Sequence, residues 1–385
     1  MRILFLDQSG KLGGAEFSLV DIADCYRDRC LVALFEDGSF RTLLEQRQIP
    51  VQVLMGQAIQ VRKESNLLQG LSSLRQLLPL ISQVTKLSRD YDLIYANTPK
   101  ALVVGAIASY LSRRPLVYHL RDILSPAHFS ATNRRLIVTL ANRFTSLVIS
   151  NSKATQTAFI QAGGRPEIAE IVYNGFRLEQ YHSDIAVVSQ LRQQLEIDQQ
   201  FVIGHFSRIS PWKGQHVLIE ALQYCSEDVV AIFAGDALFG EQDYAIQLHR
   251  LVAELNLGHR VHFLGFRSDI PQLMSACNLV AHTSISPEPF GRVIVEAMLC
   301  QRPVVAARAG GVVELIEHEK TGWLSAPGDV FQLANIINQC YNQPDLATAI
   351  AVQAQTQASL RFNLAKTQQQ IAQLLNQILS IHQHI

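Results

Sequence analysis

The residues most able to do chemistry lie in one run, Glu288-Pro289-Phe290-Gly291-Arg292-Val293-Ile294-Val295-Glu296-Ala297-Met298. Pro289 and Gly291 suit a rigid loop feeding a helix from about Arg292, so Glu288 falls ahead of the helix and Glu296 in its second turn. Two carboxylates so placed can hold hydroxyls at separate points of a ligand, while N–H groups at the helix start face its phosphates. A sugar nucleotide needs both kinds of partner. A helix start with an acidic flank accounts for Glu288 alone. It does not account for Glu296, which reads as buried among Val293, Ile294, Val295, Ala297 and Met298.

Upstream, Ile203-Gly204-His205-Phe206-Ser207-Arg208-Ile209-Ser210-Pro211-Trp212-Lys213-Gly214 sets two permanent cations after an apolar strand and before a helix. Arg208 as a planar fork and Lys213 as a point charge suit a diphosphate, although solvated surface cations have the same spacing. Tyr118-His119-Leu120-Arg121-Asp122 closes another strand. A histidine there could transfer a proton or bind a sugar hydroxyl, or be a satisfied structural histidine. Near the N-terminus, Gly13 and Gly14 open a helix where backbone N–H groups could approach an anion; a plain tight turn explains them equally well. Arg308-Ala309-Gly310-Gly311, Thr321-Gly322 and Asn174-Gly175 read locally as turns.

Short apolar, β-rich runs alternate with segments of helical period along the chain, which is the pattern of α/β domains with parallel sheets. The first half offers strands at 3–6, 30–35, 51–54, 92–97, 115–120, 146–150 and 168–173. The stretch 176–200 breaks the rhythm and places a boundary near residue 186. Strands at 201–206, 229–234, 261–264, 279–283, 303–307 and 323–324 then restart it. The expected architecture is two Rossmann-like, doubly wound domains facing a cleft, 1–186 with about 363–385 and then 187–362. Ligands of such sheets bind beyond the carboxyl ends of the strands, where nearly every motif above falls. After Asn363, Leu364, Ile371, Leu374, Leu375, Ile378 and Ile381 keep a helical stripe in a Gln-rich tail, which predicts a docked helix.

The run E-P-F-G-R-V-I-V-E-A-M, followed by P-V-V-A-A-R-A-G-G-V-V-E-L-I and T-G-W-L, resembles the donor domain of retaining GT-B glycosyltransferases of family four, the group 1 glycosyl transferases. So does the Arg208, Lys213-Gly214 pair. G-G-A-E-F-S-L-V and N-S-K-A-T (Asn151–Thr155) resemble the acceptor domain of that family. The resemblance implies transfer of a sugar from a UDP- or GDP-sugar to a glycan or lipid-linked acceptor, with no metal or other cofactor required. It implies that Arg208 and Lys213 stabilise the diphosphate leaving group. Glu288, with Pro289, Phe290 and Gly291, would meet the transferred sugar, Glu296 the ribose, Gly13 and Gly14 the phosphates, and His119 the donor sugar. The family's Asp follows its histidine more directly than Asp122 follows His119. The C-terminal helix would cross back to the first domain. A sugar-nucleotide epimerase on the same fold and a non-catalytic binding module are the alternatives.

The chain has 385 residues, enough for two domains at roughly 150 residues each. Charged residues make up 17% and hydrophobic ones 48%, which excludes disorder as the main state. No apolar run approaches a membrane-spanning length, and Ile3–Leu6 is too short for a signal-peptide core, so the expected compartment is the cytoplasm. Six scattered cysteines, Cys25, Cys30, Cys225, Cys277, Cys300 and Cys340, form no metal-binding pattern and read as core thiols. The 33 Lys/Arg and 33 Asp/Glu cancel, which gives no general case for nucleic acid. That neutrality hides an asymmetry: up to residue 186 there are 21 Lys/Arg and 16 Asp/Glu, or +5, leaving 33 − 21 = 12 and 33 − 16 = 17, or −5. Arg113, Arg114, Arg121, Arg134, Arg135 and Arg143 carry much of the excess. They could form a solvated face, or meet anionic headgroups as a peripheral protein of the cytoplasmic membrane face.

Overall fold

The computed structural model describes residues 1–54, 67–126, 128–238 and 240–383. Its strands follow the apolar runs of the sequence because such runs, free of polar alternation, suit strands covered on both faces. In the first unit they are β1 (Ile3–Asp7), β2 (Cys30–Leu34), β3 (Val51–Val53), β4 (Leu93–Ala96), β5 (Leu116–Leu120), β6 (Thr145–Ser150) and β7 (Ala169–Ile171). They pair in parallel in the order β3-β2-β1-β4-β5-β6-β7. The second unit holds β8 (Phe201–Phe206), β9 (Val229–Ala234), β10 (Val261–Gly265), β11 (Leu279–His282), β12 (Val304–Ala307) and β13 (Trp323–Ser325). Their order is β10-β9-β8-β11-β12-β13, also parallel throughout. Each order reverses once, between β1 and β4 and between β8 and β11. Loops leaving those neighbouring strands diverge to opposite sides and open a crevice at the carboxyl edge.

The division falls at Gly175/Phe176 and at Asn363/Leu364, not near residue 186. The segment after Gly175 has no strand to mark it, yet its side chains pack into the second unit. Phe176 stacks on Phe290 with ring centroids 6.3 Å apart, Tyr181 meets Phe176 edge-on, and Ser275 donates to Ser183 at 3.0 Å. A polar stretch in sequence is here the first layer of a domain.

The C-terminal helix Leu364–Gln383 belongs to the first unit. Ile371 and Leu375 are fully enclosed beside Ile3, Phe5, Val117 and Ile149, and Leu374 and Ile378 pack at the margin. Ile381, expected on the same stripe, is exposed, because the helix outruns the sheet it covers. Polar ties fix the helix along its length: the Gln368 amide donates to Asp21 O at 2.7 Å and Thr367 Oγ1 to Tyr173 O at 3.2 Å. Five of the six cysteines are buried as expected, but Cys25 is exposed. Among the described residues no helix is long and apolar enough to cross a membrane. Leu375→Ala should destabilise the first unit by about 2–5 kcal/mol, read as an earlier urea transition of that unit, since the cavity forms in a closed core.

Candidate functional site

In the second unit the reversal between β8 and β11 brings two polar loops together. The loop after β8 carries Arg208, a 3₁₀ turn Pro211–Lys213, and Gly214. Gly214 holds φ at +69°, and a Cβ there would lie 2.1 Å from Thr283 O, so both backbone shape and space require glycine. The two loops are stitched where they meet. Ile285 N–H donates to Trp212 O at 2.9 Å, and Thr283 Oγ1 donates to Gly214 O at 2.7 Å. His205, at the end of β8, lies with Nε2 3.0 Å from Thr283 Oγ1; burial pushes its imidazole down to about 3.

Across this seam Lys213 Nζ donates to Glu288 Oε2 at 2.6 Å. Two further groups reach the same oxygen, His282 Nε2 at 3.3 Å and Ser284 Oγ at 3.3 Å. Burial alone would raise the Glu288 carboxyl. The Lys213 charge and the bond from His282 outweigh burial and hold it well below the usual carboxylate range. The loop backbone is pinned from the other side: Gly311 N–H donates to Glu288 O at 2.7 Å, and a Cβ on Gly310, where φ is +66°, would lie 2.3 Å from that oxygen. The turn-like Gly310-Gly311 pair thus exists to let β12's loop lie against Glu288.

Phe290 is buried between Phe176 and Phe362, the latter edge-on at 5.8 Å. Its ring braces the loop, so any ligand contact falls to its backbone. The helix Arg292–Leu299 begins as expected, with Gly291 at its N-cap and no capping side chain. Glu296 is not enclosed among its apolar neighbours as the sequence suggested. At the helical spacing it faces Arg292, whose Nε lies 3.3 Å from its carboxylate, and it is half-buried. Arg208 points to Glu241, with Nε 3.5 Å from Oε2. The site as a whole offers cations and carboxylates in matched pairs, able to exchange partners with a diphosphate and with sugar hydroxyls.

Comparison with known proteins now decides the family. The model of "Glycosyl transferases group 1" matches residues 187–357, and that of "Glycosyltransferase Family 4" matches residues 12–180. HepE of Anabaena, solved in complex with UDP-glucose, is 59% identical with a TM-score of 0.92, covering 98% of this chain and 100% of that one. A galactosyltransferase of Escherichia coli that acts on α-D-GlcNAc-diphosphoundecaprenol with UDP-Gal is 24% identical over 287 residues, 70% of this chain and 72% of that one. The sucrose-phosphate synthase of Thermosynechococcus elongatus, 19% identical with a TM-score of 0.82 over 99% of both chains, shares the fold. The chain belongs to the group 1 glycosyltransferases of GT-B architecture.

In the first unit of this glycosyltransferase, the reversal between β1 and β4 gathers a buried polar chain. Asn97, just past β4, donates to Asp7 Oδ2 at 2.6 Å, and Arg121 Nε donates to Asn97 Oδ1 at 2.6 Å. Arg121 Nη1 reaches Asn174 Oδ1 at 3.1 Å, and Nη2 lies 3.3 Å from His119 Nδ1. Arg121 therefore does not belong to an exposed basic face; it is the cation of an enclosed network. Because arginine can only donate, Nδ1 of His119 accepts, and the ring carries its proton on Nε2, which is buried without a partner among the described residues. Burial, and then the Arg121 charge, push His119 well below its usual range. The proton-transfer reading of His119 gives way to that of a neutral hydrogen-bond donor. Asn174, read as a turn residue, is a working member of the network.

The acids around Arg121 are raised, chiefly by burial: Asp7 and Asp122 to about 6, Glu16 to about 7. Glu16 sits in the first turn of the helix Gly14–Ala23, and its Oε2 would lie 2.8 Å from a Cβ on Gly13. Since the folded-state value of Glu16 is above 4.5, the folded state binds more protons, and stability falls as pH rises from 4.5 to about 7. Glu16→Gln should remove that component. Urea unfolding should show the variant gaining on the parent by on the order of 2 kcal/mol between pH 4.5 and 8; parallel pH profiles would contradict the burial account.

Proposed function

We propose that the protein is a retaining glycosyltransferase that moves glucose or a related hexose from a UDP-sugar to a glycan or lipid-linked acceptor in cell-envelope polysaccharide synthesis. The observation that carries the donor is the 59% identity, over 98% of this chain, with HepE solved with UDP-glucose. The solved complex of HepE with UDP and glucose points the same way, at 60% identity. The lipid-linked acceptor rests on the more distant undecaprenol-dependent enzyme.

In this reading Arg208 and Lys213 meet the diphosphate. Charge builds on the leaving UDP as the glycosidic bond breaks, and two preorganised cations stabilise that charge without reorganising water. Glu288 accepts hydroxyls of the transferred sugar, Glu296 those of the ribose, and the backbone of Pro289, Phe290 and Gly291 lines the donor. On the first unit, Nε2–H of His119 is the donor offered to the sugar, and Gly13 and Gly14 supply backbone N–H groups for phosphate. The cations do the work a metal ion would do elsewhere, so turnover should survive EDTA.

Release of UDP from UDP-glucose in the presence of acceptor lipid or glycan tests the reading. Lys213→Ala should lower kcat by roughly 10²–10³-fold with the fold retained. An epimerised sugar nucleotide with no transfer product would replace the transferase by the epimerase. The cognate donor at 100 times its Kd should stabilise the chain by about 2.7 kcal/mol, separating UDP- from GDP- and ADP-sugars.

The first unit also carries exposed Tyr110, Leu111 and Leu136 on the same helices as, or beside, Arg113, Arg134 and Arg135. Apolar groups among cations suit an anionic bilayer surface, where a lipid-linked acceptor would be met. Binding to phosphatidylglycerol vesicles should weaken as salt rises; equal binding to neutral vesicles would remove the anionic headgroups from the reading, and no binding to either would remove the membrane.

A further inference from the structure

We infer that His282 is a positioning residue for the sugar-binding carboxylate of Glu288, a role that rests on the functional reading above. His282 is the last residue of β11, a strand paired on both sides, with Val280 and His282 opposite Val304 and Ala306 of β12 and Leu279 opposite Ile203 of β8. That central place fixes its Cα more firmly than any loop could. The ring is buried, and its Nε2 lies 3.3 Å from Glu288 Oε2 while Nδ1 has no hydrogen-bond partner among the described residues. Its one polar use is therefore toward the Glu288 side of the site, where Ser284 Oγ lies 3.4 Å from the same nitrogen.

All three donors that reach Glu288 converge on Oε2: Lys213, His282 and Ser284. Convergence on one oxygen sets the plane of the carboxylate and turns the other oxygen, Oε1, to the remaining side. A sugar hydroxyl needs an acceptor at one place, and a freely rotating glutamate would supply it only part of the time. Lys213 cannot hold Glu288 alone, since its ammonium is also the group offered to the diphosphate. When it turns to phosphate, His282 Nε2–H and Ser284 Oγ–H keep Oε2 occupied. His282 thus lets one lysine serve the leaving group while the carboxylate stays aimed at the sugar.

UDP and UDP-glucose distinguish this role from a structural one, because only the second carries the sugar. With the full chain and calorimetric titration, His282→Ala should weaken UDP-glucose about tenfold while leaving UDP within about twofold. His282→Gln, whose side-chain amide can reach Oε2, should restore UDP-glucose to within about threefold of the parent. His282→Asn keeps a polar group near the Nδ1 position but falls short of Oε2, so it should behave as Ala; it carries the comparison if the Ala variant does not fold. Equal losses for UDP and UDP-glucose, no loss at all, or a Gln variant no better than Ala and Asn would overturn the role of His282. A parent chain that binds neither UDP nor UDP-glucose would instead overturn the functional reading beneath it.

Discussion

A carboxylate held as closely as that of Glu288 stays ionised only if a cation and further donors compensate for the water it has lost, and most of the second unit's architecture serves that requirement. Charges in contact across a part-buried gap interact by several kcal/mol even at an effective dielectric constant of about 20. Removing one member of a buried pair typically costs about 3–5 kcal/mol, because the other is left stranded. Lys213 and Glu288 arrive on loops from different strands, so their 2.6 Å contact needs both loops at fixed separation. The bonds from Ile285 to Trp212 and from Thr283 to Gly214 supply that, and the left-handed Gly214 makes room for it.

The first unit meets the same problem at the same topological place and solves it differently. There Arg121 faces Asp7, Asp122 and Glu16. Burial outweighs the Arg121 charge there, so the acids are raised rather than held low. The result is a set of carboxyls that keep their protons to higher pH than free ones, joined to hydrogen-bonding groups on β1, β4, β5 and β7. Two sheets of like winding thereby offer unlike chemistry, one saturated with paired charge and the other with poised carboxyls around a neutral histidine.

How much of this was legible in the sequence follows from what each feature depends on. Apolar runs fixed every described strand to within a residue or two, since strands covered on both faces leave no other pattern. Glu288, Glu296, Arg208 and Lys213 were legible because they share short spacings with glycines and prolines. Glu241, Asn97 and Asn174 were not, because each acts on a partner from a different strand or loop, and His282 and Ser284 were not, because nothing in their local spacing to Glu288 marks them as its partners. A weaker signal was present: Asp7, Asn97, His119, His205 and His282 all stand at or just past the carboxyl end of an apolar strand, where a polar residue has no core reason to be. The boundary expected near residue 186 differs from the division at Gly175/Phe176 for the opposite reason. The broken rhythm from residue 176 put the boundary within that polar stretch, while the packing of Phe176 and Tyr181 joins the stretch to the second unit.

That packing also explains how the second unit can be inserted in the sequence of the first. The second unit leaves the first at Phe176 and returns at Asn363, and its two ends are joined by the Phe176 N–H to Phe362 O bond at 2.8 Å. Adjacent ends let a domain fold as a closed excursion of the chain, with little demand on its host. Phe176 and Phe362 are the residues that enclose Phe290, and Arg292 lies over the Phe176 ring at 4.6 Å. The loop bearing Glu288 is therefore braced against the very ends of its own unit.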